Sequence, residues 1–271
     1  MPELPEVETT RRGLEPHLVG HRITAVTVRE SRLRWPVPGD LAARLTKRMI
    51  RCVSRRAKYL LIDVGDGTLI IHLGMSGSLR LVDPAKPLRR HDHVDLELDS
   101  GRCLRLHDPR RFGAMLWTDD DPYRHPLLAH LGPEPLSADF NDSYLFGSTR
   151  KRRVAIKQHL MNSHVMVGVG NIYASEALFL AGIRPGRAAG RLTRVECVRL
   201  VQTIRQVLTE AIEQGGTTLR DFVREDGSHG YFRQSLRVYG RTGQACLTCE
   251  TPVKQLVQGN RSSYYCPACQ R

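Results

Sequence analysis

The chain has 271 residues, with 41 Lys+Arg against 28 Asp+Glu and a formal net charge of +13. That surplus points to a polyanionic partner, nucleic acid ahead of an anionic membrane. No apolar run approaches the roughly 20 residues needed to span a bilayer, and the acidic, proline-containing start lacks the basic and apolar regions of a secretion signal. A cytosolic chain of one large or two medium domains is expected.

The chain opens Met1-Pro2-Glu3-Leu4-Pro5-Glu6-Val7-Glu8. Freed of Met1, Pro2 carries a secondary amine. An α-amino pKa of ~7.7–8.0, against ~10.4 for lysine, leaves a useful neutral fraction near neutral pH. A neutral amine attacks a sugar aldehyde carbon, and the resulting iminium makes the neighbouring proton removable, as strand cleavage by elimination requires. Glu3 is placed to move protons to and from that sugar. The same residues also read as a plain helix start, since proline and acids favour the first turn. The helix is expected from Pro5 to about Val19, with Leu4, Val7, Leu14 and Leu18 on or near one face and Gly20 at its end.

From Arg22 to about Thr118 the pattern changes to short β-branched or alternating stretches, among them 59–64, 69–73 and 93–98, separated by Gly65-Asp66-Gly67 and Ser100-Gly101. This predicts a β-sandwich. Within it, Arg55-Arg56-Ala57-Lys58 is a cationic strand end, ordinarily surface decoration. Two glycine-flanked loops, His72–Gly77 and Asp108–Gly113, carry Met75 and Phe112. By default these are core residues; on such loops they also suit wedges entering a base stack, with Arg110 pairing an orphaned base.

Gly132-Pro133-Glu134-Pro135-Leu136 is the natural boundary, separating residues 2–132 from 133–236. Helices are expected at about Ala155–Met161, Ile172–Ala181 and Arg194–Gln214, the last closed by Gly215-Gly216, and a loop around Gly227–Gly230. Asn171 follows two glycines at a helix start. Free N–H groups there suit a DNA phosphate; an N-cap that needs no ligand is the plain alternative. The run Arg150-Lys151-Arg152-Arg153 adds four charges to the same region.

Residues 237–271 contain Cys246, Cys249, Cys266 and Cys269 as C-x2-C-x16-C-x2-C. In a reducing compartment that spacing signals one structural zinc ion. A β-hairpin is expected from Val253–Gln258 and Ser262–Tyr265 around Gly259-Asn260, with Arg261 near its tip. Cys52, Cys103 and Cys197 are scattered and expected to be buried or half-buried.

These blocks occur together in one family. PELPEVE at 2–8, RRAKYL at 55–60, HLGMSGSLR at 72–80, HDHVDL at 91–96, DPRRFGA at 108–114, VGVGNIYASEALF at 167–179, GGTTLRDF at 215–222 and VYGR at 238–241, with the four-cysteine finger, resemble the bacterial formamidopyrimidine-DNA glycosylase family, shared with endonuclease VIII, from end to end. The resemblance implies a two-domain α+β fold: an N-terminal β-sandwich with a flanking helix, then a helical domain with a helix–two-turn–helix and a β-hairpin zinc finger. It implies a bifunctional glycosylase and abasic-site lyase acting on damaged double-stranded DNA as a monomer, away from membranes, in the bacterial cytoplasm and associated with the nucleoid.

By the same resemblance Pro2 is the Schiff-base nucleophile, Glu3 the acid, Glu6 a supporting acid, Lys58 the proton donor for β-elimination and Arg261 that for δ-elimination. Met75, Arg110 and Phe112 fill the duplex gap, while His91, Arg152 and Asn171 contact DNA. Arg152 stands where relatives often have lysine, and Asn162-Ser163-His164 where they often carry one. Arg224–Gln234 is similar to the lid of members that act on oxidised purines. An enzyme for oxidised pyrimidines and a non-catalytic DNA-binding zinc protein are the rival readings.

Overall fold

The computed structural model describes the backbone of residues 2–222 and 236–271 and, except for 216–222, their side chains. The Arg224–Gln234 segment expected to form a lid lies outside the described residues. The described chain divides into two units, one comprising residues 2–129 and 212–222, the other 130–211 and 236–271.

The first unit begins with α1 (Leu4–Leu18), whose Leu4, Val7, Leu14 and Leu18 are buried. It continues with β1 (Ile23–Val28), the short helix α2 (Leu41–Leu45), β2 (Cys52–Arg56), β3 (Tyr59–Asp63), β4 (Thr68–His72), β5 (Ser78–Val82), β6 (Asp92–Leu98), β7 (Cys103–His107) and β8 (Ala114–Thr118). They form two four-stranded antiparallel sheets, in the orders β1-β6-β7-β5 and β2-β3-β4-β8. Alternate residues of each sheet, such as Leu60 and Ile62 on β3 and Leu104 and Leu106 on β7, enter one shared core with Val7, Leu14 and Leu18. This is the period-2 pattern of a sandwich with a helix laid against it.

The second unit holds α3 (Asp142–Thr149), α4 (Ile156–Leu160), α5 (Asn171–Leu180), the long α6 (Arg194–Phe222) up to Ala211, and the hairpin β9 (Lys254–Gln258) and β10 (Arg261–Tyr265). On α6, Cys197, Leu200, Val201, Ile204, Leu208 and Ala211 recur at helical spacing and join the core of this unit. A smaller core of Phe179, Val238, Cys246, Val253 and Cys266 roots the finger on α5.

Four expectations are corrected. Gly215-Gly216 does not close α6, which continues to Phe222; two glycines cost ~2 kcal/mol in a helix, too little to stop one whose nucleation is long past. Gly170, not Asn171, is the N-cap of α5, so Asn171 is its first helical residue. The run 150–153 precedes α4 and offers three exposed charges rather than four. Its first member turns inward: Arg150 stacks 3.9 Å over the Phe146 ring and donates to Leu192 O at 2.7 Å. Cys103 and Cys197 are buried as expected, while Cys52 is exposed.

Candidate active site and nucleic-acid interface

The start of the first unit is set by paired acids. Glu3 is the N-cap of α1 and is 3 % exposed. Glu6 sits three residues on, and its carboxylate accepts the Glu3 N–H at 2.8 Å. This is a capping box with glutamate at both positions. It fixes the backbone leading into Pro2, which is half-buried. Glu6 thereby acts on the Glu3 main chain, one residue past Pro2.

Lys58 occupies the two-residue turn between β2 and β3, whose closing pair is Arg56 and Tyr59. Its charge, together with Arg34, bears on His72, whose pKa is lowered to about 4 by burial first and then by these cations. Gly74 N–H donates to His72 Nδ1 at 3.0 Å, so the neutral ring carries its proton on Nε2. His72 also faces Tyr59, with ring centroids 4.8 Å apart. The sequence does not single out His72; its only signal is a histidine ending an apolar strand two residues before a glycine.

The Met75 and Phe112 loops lie back to back. A Cβ at Gly74 would fall 2.5 Å from Phe112 C and 2.6 Å from Gly113 N, and one at Gly113 would fall 2.7 Å from His72 O. Glycine at both positions lets the two backbones touch. Met75 and Phe112 are each 41 % exposed, so neither is a core residue. The guanidinium of Arg110, also exposed, lies 4.7 Å over the Phe112 ring. Buried Asp108 closes their loop, with its Oδ2 accepting Gly113 N–H at 2.8 Å.

His91 holds φ +77 in the turn before β6. Asp92 clamps that turn. Its carboxylate accepts Arg89 N–H at 2.9 Å, Arg80 Nη2 at 2.5 Å and His107 Nδ1 at 2.9 Å. These partners hold its pKa down against the burial that would raise it. His91 O accepts Asp108 N–H at 3.0 Å, and His93 Nε2 lies 2.8 Å from Asp108 O. The HDH and DPRRFG blocks are therefore one hydrogen-bonded assembly.

In the second unit, Asn171 and Arg261 line a recess of about 200 Å³ with Lys157, Gln158, Met161, Gln258, Gly259 and Ser263. Lys157 was not anticipated. It is 2 % exposed, and its ammonium donates to Asn171 Oδ1 at 2.6 Å, Ser262 O at 3.0 Å and Ser263 Oγ at 2.9 Å. One buried lysine thus ties α4 to the start of α5 and to the finger hairpin. Arg261 is exposed just past the hairpin turn, where Gly259 and Asn260 both have positive φ, as a two-residue type I′ turn demands. Arg152 is exposed outside this recess and bears on buried His159, lowering its pKa after burial. His164 Nδ1 lies 2.8 Å from His130 O, so that imidazole engages the backbone.

The four sulfurs of Cys246, Cys249, Cys266 and Cys269 lie within 4.8 Å of one another, with pairs at 3.4 Å and 4.0 Å. Zn–S bonds of ~2.3 Å in a tetrahedron set sulfurs ~3.8 Å apart, so the cluster fits one zinc ion with no open position. Such an ion serves structure. Among the described residues no helix is long and apolar enough to cross a membrane.

A β-sandwich unit that displays wedge-like loops, with a helical unit that offers a cationic recess beside a thiolate finger, defines a DNA-processing protein of the helix–two-turn–helix, zinc-finger type. Comparison with known proteins is more specific. Residues 1–115 match the formamidopyrimidine-DNA glycosylase N-terminal domain, 131–223 the H2TH domain of the same glycosylase and 243–271 the zinc finger found in FPG and IleRS. The chain is 78 % identical to the formamidopyrimidine-DNA glycosylase of Thioalkalivibrio sulfidiphilus, with both chains fully covered. It is 59 % identical to that of Stutzerimonas stutzeri over the same full extent. Among solved structures, it matches the MutM (Fpg) protein of Thermus thermophilus with a TM-score of 0.86 and 41 % identity, covering 99 % of this chain and 98 % of that one. Lactococcus lactis Fpg in complex with DNA containing FAPY-dG matches with a TM-score of 0.89 and 33 % identity, covering 99 % and 100 %. The chain belongs to the formamidopyrimidine-DNA glycosylase family.

Proposed function

We propose that this chain removes oxidised purines, 8-oxoguanine and ring-opened formamidopyrimidines, from duplex DNA and cuts the strand at the vacated sugar. Family membership supplies the reaction class. The observation that carries it to this chain is the exposure of Met75 and Phe112 on loops locked together by Gly74 and Gly113. Large apolar side chains held in water on a rigid support add nothing to a core, and they suit insertion where a base has been extruded. Arg110, beside them, pairs with the orphaned base.

In this reading Pro2, freed of Met1, attacks C1′. The N–C1′ bond forms as the glycosidic bond breaks, and the base leaves with a proton relayed through Glu3. Opening of the sugar ring gives an iminium. Removal of the C2′ proton then sends its electron pair toward that iminium and expels the 3′-phosphate, with Lys58 as proton donor. A second elimination, assisted by Arg261, expels the 5′-phosphate and leaves a one-nucleotide gap with phosphorylated ends. Glu6 holds the Glu3 amide, and His91, Arg152 and Asn171 contact the DNA backbone. Residues 2–132 form the catalytic domain, 133–236 the helix–two-turn–helix domain and 237–271 the finger. The enzyme works as a monomer on the cytoplasmic nucleoid.

Borohydride trapping on a duplex with 8-oxoguanine opposite cytosine tests this. Wild type gives a covalent adduct, Pro2→Gly, left with a primary terminal amine, gives far less, and intact mass reports whether Met1 is gone. A processed chain that traps nothing refutes the catalytic reading, and preferential cleavage of thymine glycol reassigns it to oxidised pyrimidines.

A further inference from the structure

Arg55 reads in the sequence as part of a cationic strand end. In the fold it is only 12 % exposed at the side chain, and so is its partner Glu8 on α1. The Glu8 carboxylate receives Arg55 Nε at 3.2 Å, Arg12 Nε at 2.9 Å and Arg11 Nη2 at 3.1 Å. The second arm of Arg55 points the other way, with Nη1 donating to Ala57 O at 2.8 Å. Arg11 adds a parallel tie from α1 to the same strand, Nη1 to Val53 O at 3.3 Å.

Two features make this more than a surface ion pair. Ala57 is buried at 4 % exposure and holds φ +55 without being glycine. That conformation costs ~1–2 kcal/mol and persists only where neighbours over-determine it. Its carbonyl belongs to the peptide that leads into Lys58, so the bond from Arg55 sets where Lys58 begins. At the other end, Glu8 rides on the helix whose N-cap is Glu3, with Pro2 one residue earlier. One planar guanidinium therefore spans from the nucleophile's helix to the turn bearing Lys58. A lysine has no second, fixed arm with which to do so.

We propose that Arg55 is a positioning residue that fixes Lys58 relative to Pro2, so that the elimination step depends on it more than base release does. This rests on the catalytic reading above. Base release needs Pro2 and Glu3, both at the N-terminal end of α1. In β-elimination the C2′–H bond breaks, its proton passing to the Glu3 carboxylate and its electron pair moving toward the iminium. The C3′–O bond then breaks, and the phosphate departs with that bonding pair beside the Lys58 ammonium. Only this second step needs α1 and the β2–β3 turn in register.

The test uses full-length wild type, Arg55→Lys and Arg55→Met in single turnover on an 8-oxoguanine duplex, reading base release, borohydride-trapped adduct and cut strand separately. Base release should stay within about twofold, while elimination slows ~10–100-fold, the scale of a misplacement near 1 Å. Trappable adduct then accumulates. Arg55→Lys should lag as much as Arg55→Met, because the fork matters rather than the charge. Adding Arg55→Met to Lys58→Ala should cost nothing further, as coupled residues behave. Base release and cutting that fall in proportion, or a lowered melting temperature with an unchanged ratio of the two rates, would overturn the proposal. A wild type that traps nothing overturns the catalytic reading itself, and this proposal with it.

Discussion

Replacing Lys157 with methionine keeps the apolar stem of the side chain and removes its ammonium. Asn171 Oδ1, Ser262 O and Ser263 Oγ then lose this donor. A buried acceptor left so costs ~1–3 kcal/mol. Asn171 borders the recess, where water replaces the ammonium, so the other two acceptors set the scale. Relief of the ammonium's own desolvation offsets part of that, leaving a net loss of about 2 kcal/mol, or ~4–8 °C in melting temperature for a chain of this size. Asn171 and the hairpin lose their common anchor, and affinity for a duplex holding an abasic-site analogue should fall about tenfold, ~1.4 kcal/mol. The salt dependence is the discriminating measurement. An ammonium has three N–H groups, and here three protein acceptors take them, so Lys157 displaces no counterion. The slope of log affinity against log salt should therefore match wild type in Lys157→Met and shrink by ~0.9 in Arg261→Ala, where an exposed cation is lost. A Lys157→Met slope lower by ~0.9 would mean that the ammonium meets phosphate directly, and the anchoring argument would fail.

Gly74→Ala meets the backbone of Phe112 and Gly113 and a φ of +62; strain and overpacking together should cost ~2–4 kcal/mol. Urea unfolding would measure that loss, and fluorescence of 2-aminopurine opposite the lesion would show reduced wedging. His72 is held neutral, its pKa lowered from 6.5 to about 4, so between those values the unfolded state binds more protons and stability rises with pH. Lowering pH from 6.5 to 5 should cost wild type about 1.5 kcal/mol more than His72→Gln, read by urea unfolding at each pH. Removing zinc with a chelator should unfold the finger and weaken DNA binding at least tenfold, while saturating DNA still yields trapped adduct; added zinc should restore affinity.

Much of this was legible in the sequence because the signals are local. Alternation gave the strands and C-x2-C pairs gave the thiolate cluster, whereas the exposure of Met75 and Phe112 goes against their default reading as core residues and follows the family resemblance. The misses have causes of two kinds. The helices α2 and α3 are too short for periodicity to register, although Asn141, whose side chain accepts Tyr144 N–H at 2.9 Å, is an N-cap signal ahead of α3. Lys157 is invisible for the opposite reason: its hydroxyl partner Ser263 lies 106 positions away. Arg55 was discounted because charge runs are usually solvated, and only the fold brings α1 against β2.

A shared device links the candidate residues. Among the described residues, the non-glycine positions with positive φ are Lys47, Ala57, His91, Arg111, Lys151, Glu250 and Asn260. His91 is itself a candidate contact. Ala57 adjoins Lys58, Arg111 lies between Arg110 and Phe112, Lys151 adjoins Arg152, Asn260 adjoins Arg261, and Glu250 follows the zinc ligand Cys249. Only Lys47 stands apart. Each such residue costs of order 1–2 kcal/mol, and random placement would not gather them beside the groups that chemistry selects. The compensating bonds are specific: Arg55 to Ala57 O, Asp92 to the His91 turn, Asp108 to the Arg111 loop. The candidate reactive and DNA-contacting side chains thus stand on or beside turns whose backbone is fixed before any ligand arrives, so on the proposed function little ordering cost remains when DNA binds. The strained turns and the catalytic proposal are then one claim: loosening a turn should impair the single step its side chain serves, while the rest of the fold stands.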